Sequence, residues 1–322
     1  MDVSAESLMT LTAVLREGTF EAAAASLHVT PSAVSQRIKA LEHSVGRILV
    51  RRVKPVTATP DGEILARLGE QWSLLVAEAQ GELTGIAHGP AGVAQVTDPR
   101  RLPRVSIQIA CNADSLATWF LPVIAEYHDA HPVDIDLHRD DESVTTALLR
   151  AGDVVGAVTS DPVVVRGCET VELGSLRYFP VASSAFIERW LPNGARARDL
   201  RFAPMVMFDH NDHLQLKALN HLVPEPVSPP ITYIPAAAEY RRAIQAGIGW
   251  GAVPEVEIDD VHTGAGLVRL SRKPVDIPLY WQYWKLRSPL VTALTDIVVA
   301  HARAELVPPR RGTPPVPGIA RR

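Results

Sequence analysis

Residues 20–52 read FEAAAASLHVTPSAVSQRIKALEHSVGRILVRR, and this stretch decides the fold of the N-terminal part of the chain. Its alanine-rich start predicts a helix over residues 20–27, with Thr19 as the residue that caps it. Thr30 is a second capping residue, and Pro31 takes the first helical position, where its missing N–H costs nothing. The stretch therefore predicts two helices joined by a short turn.

The second of these helices has two chemically distinct faces. One face is an apolar stripe at helical spacing, made by Val34, Ile38, Leu41 and Val45. The opposite face carries short polar groups and one cation, which are Ser32, Ser35, Gln36 and Lys39. A helix that enters the DNA major groove needs small hydrogen-bonding groups for base edges and cations for phosphates. An ordinary amphipathic helix with a solvated outer face is the alternative.

The distribution of charge favours the DNA interpretation. Residues 28–60 hold six Lys or Arg and one acid, a net charge of +5, whereas the whole chain carries −4. Residues 48–53 and 56–59 predict two short strands that form a wing. The basic residues near their junction are Arg51, Arg52 and Lys54. A basic segment in an acidic chain indicates a polyanionic partner, and a wing of this kind can follow the phosphate backbone.

Helices flank this domain on both sides. Apolar residues at helical spacing predict one helix over residues 5–17. After Pro60 a longer helix follows, and its apolar residues are spaced three or four apart, close to a coiled-coil seam. The seam consists of Ile64, Leu68, Trp72, Leu75, Ala79, Leu83 and Ile86. We expect it to pair with a second copy of the chain; a helix docked on its own domain is the alternative.

The remainder predicts a linker followed by an α/β domain. Residues 88–104 concentrate Gly, Pro and Ala without periodicity, which is typical of a hinge. Strands and helices then alternate up to residue 306, which implies a parallel sheet flanked by helices. The predicted strands are 105–110, 133–137, 154–159, 177–182, 205–208, 250–253 and 279–285. The predicted helices are 116–128, 143–150, 239–246 and 290–306. Residues 307–322 are Pro-rich and are expected to be disordered.

The core A-A-x-x-L-x-V-T-x-S-A-V-S-x-x-I-x-x-L-E within residues 20–52 resembles the helix-turn-helix of LysR-type transcriptional regulators. The resemblance extends over about residues 5–305. It implies an α/β protein whose effector domain is periplasmic-binding-protein-like, with two subdomains and a chain that crosses between them near residues 171–178 and 273–279. The implied organisation is a winged helix-turn-helix over 1–60, a dimerisation linker helix over 61–87, a hinge over 88–104, an effector domain over 105–306 and a tail over 307–322.

Four further segments are similar to one branch of that family. They are NADSLATWFLP, GAVTSDP, FDHNDH and LYWQYWKL. This LysG/ArgP-like branch responds to lysine and arginine and controls amino-acid export. The resemblance implies a homodimer on double-stranded DNA and a small-molecule effector between the subdomains. Pairing of dimers into tetramers and contact with RNA polymerase are further candidates. Arg139 and its two following acids depart from the branch, and Arg139 could alter ligand choice by neutralising a neighbouring acid.

The predicted DNA-binding residues fall into two groups. Those expected at base edges are Ser32, Ser35 and Gln36. Those expected at phosphates are Arg37, Lys39, Arg51, Arg52 and Lys54. Thr30 and Ala33, at the start of the same helix, complete the predicted surface.

The predicted effector residues lie at the carboxyl ends of strands, where helix N-termini point. Backbone N–H groups near Asn112–Ser115 and the Ser115 hydroxyl could hold a carboxylate, with Thr159 as an extra donor. Acids follow several strands and would favour a cation, although each one singly could be a helix cap or a surface charge. The predicted set is Asn112, Asp114, Ser115, Asp141, Thr159, Asp209 and Glu239.

Other classes of protein find less support. The chain has two cysteines without a C-x-x-C pair, and no metal or cofactor is expected. No apolar run approaches the ~20 residues that a membrane-spanning helix needs, and the N-terminus has acidic residues where a secretory leader would carry Lys or Arg, so we expect the cytoplasm. A metalloenzyme built on Asp209, His210, Asp212 and His213 is one alternative, but their spacing matches no common closed site. A DNA-coating or origin-binding protein is another, but it would not need a sensor of about 200 residues.

Overall fold

The structure is a computed structural model, and it describes residues 3–83, 104–139, 142–258 and 266–309. The chain forms two compact units. Unit 1 consists of residues 1–112, 122–171 and 281–298; unit 2 consists of residues 113–121, 172–280 and 299–322. The first predicted crossing, near 171–178, coincides with the boundary at 171, and the second lies just beyond the predicted 273–279.

The N-terminal part of unit 1 is a winged helix-turn-helix. Its helices are α1 (Ala5–Glu17), α2 (Phe20–Ser26), α3 (Pro31–Val45) and α4 (Pro60–Leu83), and its strands are β1 (Val50–Arg51) and β2 (Thr57–Ala58). The predicted caps are confirmed, since the Thr19 and Thr30 hydroxyls accept from the Ala22 and Ala33 N–H groups. Gly18 ends α1 with a φ of 69°, a left-handed conformation that glycine adopts without strain.

The wing strands are shorter than the sequence predicted. Only two residue pairs form the ladder, Val50 with Ala58 and Arg51 with Thr57. Pro55 has no N–H to donate, and the residues around it form the loop that reverses the chain. The core beneath is made by apolar residues of the four helices and of the wing segment, which include Leu11, Val14, Ala23, Val34, Ile38, Leu41, Leu49 and Leu65.

The sensor part of unit 1 is a parallel sheet with helices. Its elements are β3 (Val105–Cys111), α6 (Leu121–Ala130), β4 (Val133–Arg139), α7 (Glu142–Ala151), β5 (Gly156–Thr159) and the first residues of α12 (Pro289–Glu305). Strand β3 pairs in parallel with both β4 and β5, as the strand–helix alternation predicted. The carboxyl ends of these strands therefore lie on one edge of the sheet.

Unit 2 is built on long strands and several short elements. The strands are β6 (Cys168–Ser183), β7 (Met205–Met207), β8 (Ile231–Tyr233), β9 (Gly251–Pro254), β10 (Leu267–Arg269) and β11 (Val275–Trp284). Residues 168–171 of β6 and 281–284 of β11 belong to unit 1. The helices are α5 (Ala113–Ser115), α8 (Ser184–Trp190), α9 (Ala197–Leu200), α10 (His213–Leu222), α11 (Ala237–Gln245) and a 3₁₀ turn (Glu255–Glu257). Strand β6 pairs antiparallel with β9 and β10, and β7 pairs in parallel with β8.

The helix predicted over 116–128 is present and is longer than predicted. It begins at Ala113, contains a π-helical turn at Leu116–Phe120 and ends at Ala130. Pro122 lacks the N–H that an α-helix would direct to residue 118, and the widened turn directly before it accommodates that gap. The expectation of disorder is wrong at Val307, the first residue of the predicted tail, because it exchanges both backbone hydrogen bonds with Ser175, at 2.9 and 3.0 Å. Residues 310–322 lie outside the described residues.

Candidate DNA-reading surface and effector site

The outer face of α3 presents the predicted polar groups. Ser32, Gln36 and Lys39 are exposed, while Ala33 and Ser35 are partly buried. The Thr30 hydroxyl accepts from the Ala33 N–H and lies 2.9 Å from the Ser32 hydroxyl, so the start of the helix is locally ordered. The opposite face supplies Val34, Ile38 and Leu41 to the core. The helix therefore has the short polar groups at its exposed N-terminal end that base-edge contacts require.

The wing adds exposed cations beside this helix. Arg51, Arg52 and Lys54 are all exposed, and the Arg52 guanidinium lies 5.4 Å from the centre of the Phe20 ring. Glu42, the one acid of the basic segment, is turned to the backbone, where its carboxylate accepts from the N–H groups of Leu49 at 2.9 Å and Val50 at 3.4 Å. The acid thus fixes the start of the wing while the cations remain exposed.

Arg37 differs from the other predicted phosphate contacts. Its guanidinium lies 2.5 Å from the Glu6 carboxylate of α1, and its side chain is only 29% exposed. The structure therefore gives this cation a partner within the domain. Its contact with phosphate stays a prediction.

The seam of α4 is exposed along one side of the helix. Ile64 is 49% exposed, Leu68 and Trp72 are each 45% exposed, and Leu75 is 36% exposed. Ala79 and Leu83 are exposed as well, and Ile86 lies outside the described residues. The opposite side of α4 packs Leu65 and Leu74 inward and approaches α1 at Gly69, where a Cβ would lie 2.7 Å from the Thr12 methyl. The helix is thus docked on its own domain by one side, and the other side is an apolar surface available to a second copy.

Two aspartates of unit 2 lie within electrostatic reach of each other. Asp114 accepts a hydrogen bond from the Tyr178 hydroxyl at 2.7 Å. Burial raises the pKa of the Asp114 carboxyl, the Tyr178 hydrogen bond opposes that change, and the charge of Asp212 adds to it. Burial likewise raises the pKa of Tyr240, and the charges of Asp212 and Asp114 raise it further. We call Asp114 and Asp212 the acid pair.

Asp212 is held firmly by backbone groups. It caps α10, and its carboxylate accepts from the N–H groups of Phe208 at 2.9 Å and Gln215 at 3.2 Å. Burial raises the pKa of this carboxyl. These hydrogen bonds lower the pKa, and the nearby charge of Asp209 raises it. The buried Gln215 side chain fixes α10 against β9, because its amide oxygen accepts from the Ala252 N–H and its amide nitrogen donates to the Ala252 carbonyl. Burial and a nearby like charge both disfavour the ionised form of a carboxyl, and a bound cation would favour that form.

The other predicted effector residues are placed differently. Asp209 accepts from the Asn211 N–H at 2.6 Å in the turn before α10. Glu239 is exposed on α11, and its carboxylate lies 3.7 Å from the Arg242 guanidinium. Ser115 is buried on α5 beside Asp114 in the chain. Asp141 lies outside the described residues.

Asn112 and Thr159 belong to unit 1, at the carboxyl ends of β3 and β5. These strands are parallel neighbours, so both residues lie on one edge of that sheet. The buried Thr159 hydroxyl accepts from the Asp161 N–H at 3.0 Å, which leaves its own hydrogen as a donor.

Sequence reasoning missed Tyr178, Gln215 and Tyr240 and did not include Asp212 in its predicted site. Asp212 had a usable signal, because it directly precedes the helical segment 213–222 and so occupies a capping position. Tyr178 and Tyr240 lie on a strand and a helix far apart in the chain, and nothing local distinguishes them from core aromatic residues.

The metalloenzyme alternative finds no support in the described ranges. Among them, no three His, Cys, Asp or Glu side chains gather as metal ligands would. The His210 ring instead contacts the Tyr233 ring, with centroids 4.1 Å apart. No helix within the described ranges is both long and apolar enough to span a bilayer.

Comparison with protein families identifies both parts of the chain. Residues 5–63 match the bacterial regulatory helix-turn-helix protein model of the lysR family, and residues 100–303 match the LysR substrate binding domain. The chain belongs to the LysR family. The chain therefore has the predicted family and fold, and the family is one of DNA-binding transcriptional regulators rather than enzymes.

Relatives span nearly the full length of this LysR-family regulator. The lysine export transcriptional regulatory protein LysG of Corynebacterium efficiens is 41% identical over 300 residues, covering 93% of this chain and 98% of the relative. The crystal structure of ArgP from Mycobacterium tuberculosis is 38% identical with a TM-score of 0.84, covering 96% of this chain and 100% of that one. Full-length LysG from Corynebacterium glutamicum with bound effector Arg is 37% identical with a TM-score of 0.77, covering 95% and 100%. The architectural alternative is set aside, because residues 100–303 match a substrate binding domain and the Corynebacterium glutamicum relative was solved with a bound effector.

Proposed function

We propose that this regulator senses a basic amino acid, lysine or arginine, and controls the transcription of genes for amino-acid export from the cytoplasm. The relatives support the proposal by name, since one is a lysine export regulator and another was solved with the effector Arg. The acid pair of unit 2 supports it by chemistry. It is the observation on which the proposal depends.

The acid pair is suited to a cationic side chain. Burial raises the pKa of both carboxyls, and the charge of Asp212 raises that of Asp114 further, so a positive ligand, which lowers the pKa of a carboxyl, would favour their ionised forms. Asp114 is the better candidate for direct contact, since the described structure gives its carboxylate one hydroxyl donor, whereas Asp212 accepts from two backbone N–H groups. The proposed contacts of the ligand's own carboxylate with Asn112, Ser115 and Thr159 stay predictions.

Calorimetry with charged and neutral ligands tests this proposal. Lysine and arginine should bind the unmutated protein, and norleucine, which has no side-chain cation, should bind at least tenfold more weakly. Asp114→Asn should weaken lysine binding by about 10- to 100-fold, as expected for a hydrogen bond to a charged group, and leave norleucine nearly unchanged.

The exposed Glu188 provides the matched control. Glu188→Gln removes a surface carboxylate of α8 in the same unit that was not predicted to contact the effector, and it should leave both affinities unchanged. Equal binding of lysine and norleucine by the unmutated protein would contradict the proposal.

The proposed assembly is a homodimer that places two recognition helices on two half-sites. The exposed seam of α4 supports pairing, because large apolar side chains at coiled-coil spacing gain stability when a second copy covers them. Ligand binding would then act by population shift, favouring the arrangement of the dimer to which it binds more tightly. Tetramers and a contact with RNA polymerase are further steps of the same proposal.

A further inference from the structure

The linker helix α4 is attached to the sensor at the ends of two helices. Glu78 is only 6% exposed, and its Oε1 atom accepts from the Ser288 hydroxyl at 2.6 Å and from the Leu290 N–H at 3.1 Å. Ser288 and Leu290 stand at the start of α12 and are fully or almost fully buried. A carboxylate from 210 residues earlier in the chain thus caps the N-terminus of a sensor helix.

The charge of Glu78 is matched to that position. No ion pair of the described residues includes it, and its stabilisation comes from the Ser288 hydroxyl, the Leu290 N–H and the positive end of the α12 dipole. Ser288 also accepts from the Val291 N–H at 3.1 Å, so the same hydroxyl links the cap of α12 to α4. Tyr127 contributes from α6, where its hydroxyl donates to the Leu290 carbonyl; burial raises the pKa of Tyr127, and the Glu78 charge raises it further.

A second contact lies on the same side of α4. The Arg67 guanidinium donates to the carbonyl of Arg150, in the last turn of α7, at 3.3 Å. Gly152, just after α7, approaches so closely that a Cβ there would lie 2.6 Å from the Arg67 Cα. Glu78 and Arg67 are eleven residues apart, about 16 Å and three full turns, so both face the sensor. Each residue presents the charge that complements the helix end it meets.

We propose that Glu78 is the positioning residue through which the sensor and the DNA-reading domain influence each other, because it makes the cap of α12 depend on the placement of α4. Helix α12 begins in unit 1, where Glu78 caps it, and ends in unit 2, the unit that holds the acid pair. It is therefore a continuous helix from the linker-helix contact into unit 2. The inference rests on the proposed function for the identity of the effector.

Operator binding with and without effector is the first test. The operator is selected from a random-sequence DNA pool by the unmutated protein, and its Kd is measured in the absence and presence of saturating lysine. We expect lysine to change the operator Kd of the unmutated protein by about 5-fold or more, the usual lower range of allosteric coupling. In Glu78→Ala the change should fall below about 2-fold.

Conservative and remote variants separate coupling from folding. Glu78→Gln keeps an Oε1 acceptor for both donors, and it should retain at least half of the lysine effect on a logarithmic scale. Glu305→Ala alters an exposed glutamate at the other end of α12 and should retain all of it. A purely structural role would lower melting temperature and operator affinity equally with and without lysine. An unchanged lysine effect in Glu78→Ala would overturn the inference.

Hydrogen exchange provides a test that needs no effector. Operator DNA should slow exchange of the Leu290 amide in the unmutated protein and should have no such effect in Glu78→Ala. An operator that leaves this amide unaffected in the unmutated protein would overturn the inference. If lysine and arginine leave the unmutated protein's operator Kd unchanged, the proposed function fails, and the exchange result alone decides the role of Glu78.

Discussion

The wing and the acid pair can be compared by where their charges lie. On the wing, Arg51, Arg52 and Lys54 are exposed, and the segment's one acid is bound to backbone N–H groups. In unit 2, the carboxyls of Asp114 and Asp212 are buried enough that their pKa values are raised, with a tyrosine and backbone groups as their partners. Exposed cations suit a long polyanion that is bound through many weak, salt-sensitive contacts, whereas buried carboxyls suit one small cation.

In the proposed dimer the two regions act together through assembly, so the largest effect should come from the seam of α4. Leu68→Glu would place a carboxylate in an apolar interface, at a cost of several kcal/mol, and should yield monomers. Because a single winged domain reads few base pairs, operator affinity should fall by more than about 100-fold. Sedimentation and operator binding measure the two effects.

Val256→Glu is the matched control for this substitution. It also adds a carboxylate at an exposed apolar residue, 57% exposed, but in unit 2. It should leave a dimer with full operator affinity. A Leu68→Glu protein that still sediments as a dimer would refute pairing through this seam.

The acid pair should make lysine affinity depend on pH. The pKa values of Asp114 and Asp212 are raised, so protons compete with the ligand cation at pH values above the ordinary range of an aspartate. Lysine should therefore bind more weakly as pH falls, by at most about tenfold per pH unit for each proton displaced. Calorimetry in buffers of different ionisation enthalpy would measure the protons released.

Asp114→Asn should flatten this pH dependence, and it should also stabilise the protein without effector at neutral pH. A raised carboxyl pKa contributes stability at low pH that is lost as pH rises through the folded-state pKa, and asparagine removes that loss. A lower melting temperature for this variant at neutral pH would show that the carboxylate is better stabilised than the raised pKa implies.

Local signals predicted the N-terminal domain well, and long-range contacts explain what they could not predict. Thr19 and Thr30 fix helix starts by accepting from N–H groups three residues away, and Pro31 suits the first helical position. These helix starts can therefore be predicted from neighbouring residues in the sequence. Asp114 meets Tyr178 over 64 residues of the chain, and Glu78 meets Ser288 over 210 residues. The order of Val307 was not predicted for the same reason, since its hydrogen-bond partner, Ser175, is far away in the sequence.

On the DNA side, Gln36 should carry sequence discrimination. Its side chain is exposed on the outer face of α3, and a bidentate amide contact with a base is worth about 1–3 kcal/mol of discrimination. Gln36→Ala should therefore change which operator the protein prefers and leave its affinity for random DNA nearly unchanged. Selection from a random pool, repeated with the variant, reveals the change. Equal losses on operator and random DNA would assign Gln36 to the backbone instead.

Arg52 should show the smallest and most uniform effect. Its guanidinium is exposed and steadied near the Phe20 ring, so it can neutralise a phosphate without reading a base. Arg52→Ala should weaken binding to all sequences alike and reduce the slope of log Kd against log salt by about 0.9, the value for one phosphate. Arg37→Ala is the control, because Arg37 is already paired with Glu6 at 2.5 Å and should change the slope less. A larger slope change for Arg37→Ala than for Arg52→Ala would mean that DNA takes Arg37 from Glu6, and the distinction between exposed and internally paired charges would then fail on the DNA-reading surface itself.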